Sequence, residues 1–250
     1  MPPLATRSWG DGPLLVLLHG FTQNAGAWGP FGAALGRSRR ILAIDLPGHG
    51  GSSAVAADLG RSAELVLETV GDEPIDLLGY SLGGRLALEL ALGAPHRVSR
   101  LVLLGATAGI DDPTEAAARR ARDEALADQI ERTDDVAAFL RQWLDQDLFA
   151  DLSDDDAQLS ARLRNTAPGL ASSLRHAGAG TQVPSWDRLD GLGCPVLVVA
   201  GEEDDKFSQL GRRLVERLPD GRLALIRGAG HACHLSHPLE VAGAVDGWLG

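Results

Sequence analysis

The sequence contains few cysteines and almost no lysine. The two cysteines among its 250 residues, Cys194 and Cys233, form no CxxC pair. Two thiols cannot build a disulfide framework or a complete cysteine metal site, so we expect reduced thiols in a cytoplasmic protein. Of the 23 basic residues all but one are arginine, and Lys206 is the single lysine.

Long apolar segments and basic tracts are also missing. The first apolar run, Leu14–Leu18, is shorter than a signal-peptide core or the ~20 residues of a membrane span. The formal net charge is -11, and no basic tract offsets it. We therefore expect neither nucleic acid nor a membrane surface as a partner. A small anion is compatible with this charge, because arginines in a water-poor cleft can outweigh a distant acidic surface that salt screens.

Short apolar runs recur along the chain. Their continuous apolar character is typical of strands buried on both faces of a parallel sheet. Helical patterns lie between the runs, so the sequence predicts a mostly parallel, doubly wound α/β sheet. The runs are Leu14–Leu18, Ile41–Ile44, Ile75–Leu78, Leu101–Leu104, Val196–Ala200 and Leu223–Ile226, and the helical patterns are Ala25–Leu35, Ser62–Val70, Leu82–Leu92, Gln209–Leu218 and Leu239–Leu249.

Residues 111–185 interrupt this alternation. Val136–Leu144 and Asp155–Leu163 have helical patterns, and Asp112-Pro113-Thr114-Glu115 is typical of a helix start. Because strand-like runs resume afterwards, we expect one domain over residues 1–250 with a helical cap inserted at 111–185. The cap holds 15 acidic and 8 basic residues, and we expect its aspartates to face solvent and its arginines to face the site.

A serine lies between a predicted strand and a predicted helix. The segment Gly79-Tyr80-Ser81-Leu82-Gly83 is a Gly-x-Ser-x-Gly motif in strand–turn–helix context, which is typical of a nucleophile elbow. Its turn strains the serine backbone, and flanking glycines relieve the crowding. A glycine-rich turn with an incidental serine is the alternative, and the surrounding pattern favours the elbow.

An activated serine needs a histidine that a carboxylate orients. The chain order serine, acid, histidine is typical of this architecture and selects Asp204 and His231, each after a later strand. Glu202 and Asp205 compete with Asp204, which the Gly-x-x-Asp spacing favours. A metal site built from His231, His234 and His237 is the rival interpretation, but no further ligand set accompanies these histidines, so we expect no metal.

Two backbone N–H groups are candidates for an oxyanion hole. One donor in this architecture is the residue after the nucleophile, here Leu82, and the other comes from the loop after an early strand, here Phe21. His19 in the same loop is expected to pack and to hydrogen-bond the backbone rather than to transfer protons.

At these residues the chain resembles the α/β-hydrolase superfamily over nearly its full length. Three segments resemble, more narrowly, the 2-succinyl-6-hydroxy-2,4-cyclohexadiene-1-carboxylate synthase family of menaquinone biosynthesis. They are 79–85, 201–207 with its Asp-x-Lys-Phe ending, and 165–175 in the cap. The resemblance implies an α/β-hydrolase fold with a cap.

The resemblance also implies a lyase reaction instead of ester hydrolysis. Ser81, activated by His231 and Asp204, would be the general base that removes a ring proton from an anionic cyclohexene carboxylate, after which pyruvate leaves. No metal or organic cofactor is implied. A serine hydrolase with Ser81 as nucleophile and a non-catalytic relative are the alternatives. The complete triad disfavours the second, and a cationic pocket disfavours the first.

The implied substrate has three carboxylates, which favours arginines in the pocket. Arg85 lies about one helical turn after Ser81, although pairing with Glu89 is its alternative. The resemblance adds further substrate-binding candidates, with solvated-face or cap-core roles as alternatives for the cap residues. They are Tyr80, Arg119, Trp143, Arg164 and Lys206. The oligomeric state is expected to be a monomer or a small homo-oligomer.

Overall fold

Seven strands form one sheet in the part of the chain that the computed structural model describes, residues 3–153 and 155–250. Their order across the sheet is β1-β3-β2-β4-β5-β6-β7, and all neighbours are parallel except β1 and β3. The strands are β1 Thr6–Trp9, β2 Leu14–Leu18, β3 Arg40–Ile44, β4 Ile75–Tyr80, β5 Val98–Leu104, β6 Val196–Gly201 and β7 Gly221–Ile226.

The predicted doubly wound sheet is confirmed, since every predicted apolar run lies on a strand. Alternate residues of a strand face opposite sides. Val16 and Leu18 therefore join one core, whereas Leu15 and Leu17 join the other. Sequence analysis missed β1, because its residues are mostly exposed at the sheet edge and have no apolar run.

Helices cover both faces of the sheet. The helices α2 Leu59–Val70, α3 Leu82–Gly93 and α8 Asp205–Arg217 bury apolar residues in one core, and α1 Gly29–Leu35, α9 Cys233–Ser236 and α10 Pro238–Leu249 bury theirs in the other. In the described residues, no helix is long and apolar enough to span a bilayer.

The chain between β5 and β6 is helical, as expected of a cap. It forms α4 Pro113–Thr133, α5 Val136–Leu144, α6 Leu159–Arg162 and α7 Ala167–Ala177. Asp112 caps α4 as its sequence predicts, and its carboxylate accepts hydrogen bonds from the backbone N–H groups of Thr114 and Glu115, both 2.8 Å long. The helix predicted over Asp155–Leu163 is shorter, and α7 was not predicted. The boundaries at 111 and 185 stay predictions.

Candidate active site

Ser81 occupies a strained turn between β4 and α3. Its φ is 50° and its ψ is -106°, a conformation that residues with a Cβ rarely adopt. The two motif glycines make this turn compatible with the sheet. A Cβ on Gly83 would clash with the carbonyl oxygen of Leu18 on β2, and a Cβ on Gly79 would clash with that of Gly83. The serine therefore stands at the carboxyl end of the sheet, at the start of a helix.

His231 connects Ser81 with Asp204. Its Nε2 lies 3.3 Å from Ser81 Oγ, and its Nδ1 lies 2.8 Å from Asp204 Oδ2. His231 follows β7 and Asp204 follows β6, and both are buried. If Nδ1 carries the proton that Asp204 accepts, Nε2 is free to accept the proton of the serine hydroxyl. Glu202 and Asp205, the competing carboxylates, are exposed.

Asp204 is fixed by the helix that follows it. Its second oxygen, Oδ1, accepts a hydrogen bond of 3.1 Å from the backbone N–H of Phe207 and so caps α8. The Phe207 ring lies 4.3 Å from the His231 ring, between centroids. The acid loop thus holds the carboxylate and also covers one side of the imidazole.

A hydrogen bond connects the two segments that carry the candidate oxyanion donors. Leu82 is the first residue of α3, so its N–H has no acceptor within the helix. Phe21 follows β2 in a loop that a 3.0 Å hydrogen bond from Gly83 N to His19 O ties to the elbow. Phe21 and Leu82 both line the cavity that contains Ser81.

The other buried histidines hold loops. His19 Nε2 accepts a 3.0 Å hydrogen bond from the backbone N–H of Leu46, and His19 Nδ1 lies 2.8 Å from Gly20 O, as expected for a structural residue. Burial lowers the pKa of His19 to about 4 and that of His234 to about 3. His234 packs 4.2 Å from the ring of Tyr80. Across the described residues, no group of three potential ligands could hold a metal ion.

A cavity of about 450 Å3 separates Ser81 from the cap. Aromatic side chains form part of its wall, including Phe21, Tyr80 and Trp143. Its cationic lining residues come from α3, from the cap and from α8. They are Arg85, Arg119, Arg162, Lys206 and Arg213. This lining suits an organic anion with both apolar and carboxylate parts.

Arg85 is buried at the cavity wall. Its Nη2 donates a 2.8 Å hydrogen bond to the carbonyl oxygen of Ala177, at the end of α7. Its pKa is lowered to about 10, mainly by burial and further by Arg119. The alternative pairing with Glu89 is wrong, because Glu89 lies 3.6 Å from Arg188 instead.

Comparison with known proteins gives the family. A model of the alpha/beta hydrolase family matches residues 15–244. A Bacillus subtilis relative, provisionally named 2-succinyl-6-hydroxy-2,4-cyclohexadiene-1-carboxylate synthase, is 36% identical over 90% of this chain and 85% of its own. The Serratia proteamaculans synthase of that name is 35% identical over 96% of this chain and 94% of its own. The chain belongs to the alpha/beta hydrolase family, in the branch of these synthases.

A solved structure agrees with this placement. The structure of MenH from S. aureus superposes with a TM-score of 0.89 at 27% identity and covers 98% of this chain and 97% of its own. The predicted fold class is therefore confirmed for this alpha/beta hydrolase, together with the predicted family resemblance.

Three further substrate-binding candidates line the cavity. Arg119 is on α4, and its Nε donates a 2.9 Å hydrogen bond to the buried carboxylate of Asp123. Trp143 is on α5, 5.1 Å from the ring of Phe21, so it both packs within the cap and contacts the cavity. Lys206 is exposed at the cavity rim, with its Nζ 5.8 Å from the centre of the Phe207 ring.

The expectation for Arg164 is wrong. Arg164 is exposed and does not line the cavity, whereas Arg162 is 1% exposed and does. The reason is the short helix α6, which ends at Arg162 and continues as a turn through Leu163. Side chains two positions apart on a helical turn point to nearly opposite sides. Burial lowers the pKa of Arg162 to about 10.

The expected sorting of charges in the cap is also partly wrong. Asp111, Asp112 and Glu115 line the cavity instead of facing only solvent. Arg213 of α8 neutralises Asp111 through an ion pair of 2.5 Å. Arg175, by contrast, does not line the cavity and pairs with acidic residues of α4.

Sequence analysis missed further cavity residues besides Arg162, among them Phe149 and Arg213. Phe149 lies 6.4 Å from the His231 ring, between centroids, and Arg213 stacks 3.7 Å above the Trp186 ring. No local motif marks either residue, because the path of the cap and the orientation of α8 bring them to the cavity. Helical spacing alone would have placed Arg213 two turns after Lys206.

Proposed function

We propose that the protein is a lyase that eliminates pyruvate from 2-succinyl-5-enolpyruvyl-6-hydroxy-3-cyclohexene-1-carboxylate. The product is 2-succinyl-6-hydroxy-2,4-cyclohexadiene-1-carboxylate. One observation carries the proposal: the buried guanidinium groups of Arg85 and Arg162 line the cavity that contains Ser81. A trianionic substrate supplies the carboxylates that such groups bind, whereas a neutral ester needs none of them. The relatives named as this synthase support the assignment.

The bond changes follow from a comparison of the chemical formulae of substrate and product. The substrate loses a proton from ring carbon 2, beside the succinyl ketone, and its 3,4 double bond becomes the 2,3 and 4,5 double bonds of the product. The bond between ring carbon 5 and the enolpyruvyl oxygen breaks. The leaving group is the enolate of pyruvate, which takes up a proton and becomes pyruvate. The reaction consumes no water, and proton transfer is its only acid–base requirement.

We assign the proton transfer to the triad. His231 accepts the hydroxyl proton of Ser81, and the serine oxygen removes the proton from ring carbon 2. Asp204 stabilises the resulting imidazolium, which then returns a proton to the leaving enolate. The proton on ring carbon 2 is acidic because the adjacent ketone takes up the negative charge as an enolate. The Phe21 and Leu82 N–H groups would donate hydrogen bonds to the enolate oxygen, each contributing ~3 kcal/mol to transition-state stabilisation.

The cationic side chains would hold the three carboxylates around this centre. Arg85 and Arg162 are the buried cations of the cavity that contains Ser81, and Arg119, Lys206 and Arg213 are its more exposed ones. Tyr80 and Trp143 provide apolar contacts for the ring.

We expect no metal or organic cofactor. We infer a cytoplasmic location, which the two free, buried thiols favour.

The test supplies the purified protein with the enolpyruvyl precursor and measures pyruvate through lactate dehydrogenase. A nitrophenyl ester in parallel tests the alternative of a serine hydrolase, in which Ser81 attacks a carbonyl carbon. We expect pyruvate release with weak ester turnover. Strong ester turnover without pyruvate would overturn the proposal and leave the hydrolase.

A further inference from the structure

The loop that carries Phe21 contains a strained residue. A 3.1 Å hydrogen bond from Gln23 N to Gly20 O closes a turn in which Phe21 and Thr22 are the central residues. Thr22 has a φ of 69°, and it is fully buried. A turn with positive φ at its third position normally has glycine or asparagine there, and a β-branched residue is disfavoured. Surrounding contacts must therefore maintain this conformation.

Two residues of the cap hold Thr22. Arg162 Nη1 donates to the hydroxyl oxygen of Thr22, and Asn165 Nδ2 donates a 2.6 Å hydrogen bond to its carbonyl oxygen. Among the described residues, these are the side-chain contacts that hydrogen-bond Thr22. Side chains of the cap therefore hold the conformation of this turn, although the turn itself follows strand β2 of the sheet.

Asn165 has the more extensive set of contacts. It is 4% exposed, and its Nδ2 lies 3.3 Å from Gln23 O. Its Oδ1 accepts a 2.8 Å hydrogen bond from the backbone N–H of Gly50, in the loop after β3. The side chain therefore joins the Phe21 turn to a second loop of the sheet domain, with both of its polar atoms in use. Asn24 adds a reverse contact, a 2.6 Å hydrogen bond from its Nδ2 to Ala161 O in the cap.

We propose that Asn165 is a positioning residue for the reaction: it holds Thr22 in the left-handed conformation that aims the Phe21 N–H into the cavity. The proposal rests on the proposed function of Phe21 as an oxyanion donor. Such a donor acts on charge that develops in the transition state, so its misplacement lowers kcat more than it changes substrate binding.

The test begins with two substitutions. Asn165→Ala removes the hydrogen bonds with Thr22 O, Gln23 O and Gly50 N, and Asn165→Asp keeps an acceptor for Gly50 N but has no donor for the two carbonyl oxygens. We expect both to lower kcat for pyruvate release by roughly 10- to 100-fold, with KM changed less than about threefold. Thermal unfolding and circular dichroism establish that each variant is folded, and Asn165→Asp serves if Asn165→Ala is not.

A double-mutant cycle separates positioning from general support of the fold. In Thr22→Gly the positive φ carries no steric strain, so the turn depends less on the cap. We expect the loss of kcat caused by Asn165→Ala to be several-fold smaller in the Thr22→Gly background than in the natural one. An equal loss in both backgrounds, or a kcat of Asn165→Ala and Asn165→Asp within twofold of the natural protein, would overturn the inference.

The natural protein in the same assay keeps this result separate from the proposed function. If it releases pyruvate and the variants retain kcat, only the positioning role fails. If it hydrolyses the ester without pyruvate release, the lyase assignment fails, and the same cycle is measured on the ester, because an acyl-transfer oxyanion would use the same turn.

Discussion

Arg85 Nη2 lies 2.8 Å from the carbonyl oxygen of Ala177, so a cation of the sheet domain meets the end of a cap helix inside the cavity wall. The other acceptors of the guanidinium are Gly178 O at 3.5 Å and Gln182 Oε1 at 3.4 Å, and all three are neutral oxygens. Arg85 as a whole is 8% exposed. A buried cation is costly unless an anion pairs with it, so this arrangement favours binding of an anionic ligand.

Replacing Arg85 by methionine tests its role toward the substrate. The proposed charge-assisted hydrogen bonds to a carboxylate are worth about 1.5–3 kcal/mol, so kcat/KM for pyruvate release should fall roughly 10- to 150-fold, mainly through KM. Ester turnover should change little. The measurement is steady-state kinetics with both substrates.

Arg122→Met is the matched control, because Arg122 is exposed on α4. It should keep the kinetics of the natural protein with both substrates. Unchanged KM and kcat in Arg85→Met would show that the guanidinium does not meet the substrate.

Arg162 and Arg164, two positions apart, allow a cavity arginine to be compared with a surface arginine. Arg162→Met removes a buried cation and its hydrogen bond to Thr22, so pyruvate release should fall at least about 10-fold. Arg164→Met alters an exposed side chain and should stay within about twofold of the natural protein. Steady-state kinetics of the two variants at equal enzyme concentration decides. A larger loss in Arg164→Met would restore the expectation drawn from sequence alone.

The predictability of the fold follows from where the apolar residues lie. The buried strands consist of continuous apolar residues such as Leu14–Leu18, so their pattern is visible locally. The edge strand Thr6–Trp9 is mostly exposed, and only its pairing with β3 makes it a strand. The helix Ala167–Ala177 begins with a Thr166 cap and a proline, so its sequence does contain a helix-start signal.

The predictability of the site divides in the same way. Ser81, Asp204 and His231 follow β4, β6 and β7, so the serine motif and the chain order locate them from the sequence alone. Arg162 and Arg164 differ in the direction of two side chains on a short helical turn, which residue types do not determine. The contact of Asn165 with Thr22 joins residues far apart in sequence, and only the packed cap places them together.

The backbone strain at Ser81 predicts that replacement by glycine abolishes activity but gives a more stable protein than replacement by alanine. Ser81→Gly and Ser81→Ala should both lose orders of magnitude in turnover, because the base is removed. At a φ of 50° glycine carries no Cβ penalty, so Ser81→Gly should be about 1–2 kcal/mol more stable than Ser81→Ala. Urea unfolding of the two variants measures the difference. Equal or lower stability of Ser81→Gly would mean that the elbow is not strained.

Three buried histidines make stability depend on pH. Burial lowers the pKa to about 4 for His19 and to about 3 for both His49 and His234. In the unfolded chain these groups titrate near pH 6.5. Between about pH 4 and 6.5 the unfolded chain therefore binds more protons than the folded one. Their contribution is fully present above pH 6.5 and is lost as the pH falls below it.

Lowering the pH from 7.5 to 5.5 should accordingly reduce the free energy of unfolding by about 1.4 kcal/mol for each of these histidines. Carboxylates contribute little in this interval, because most of them titrate near pH 4. His49→Gln should lose about 1.4 kcal/mol less than the natural protein over the same interval, whatever its stability at pH 7.5. His96→Gln is the control, because His96 is exposed and should leave the pH dependence unchanged. Urea unfolding at both pH values gives four free energies for each comparison of a variant with the natural protein. An identical pH dependence for His49→Gln and His96→Gln would contradict a neutral, buried His49.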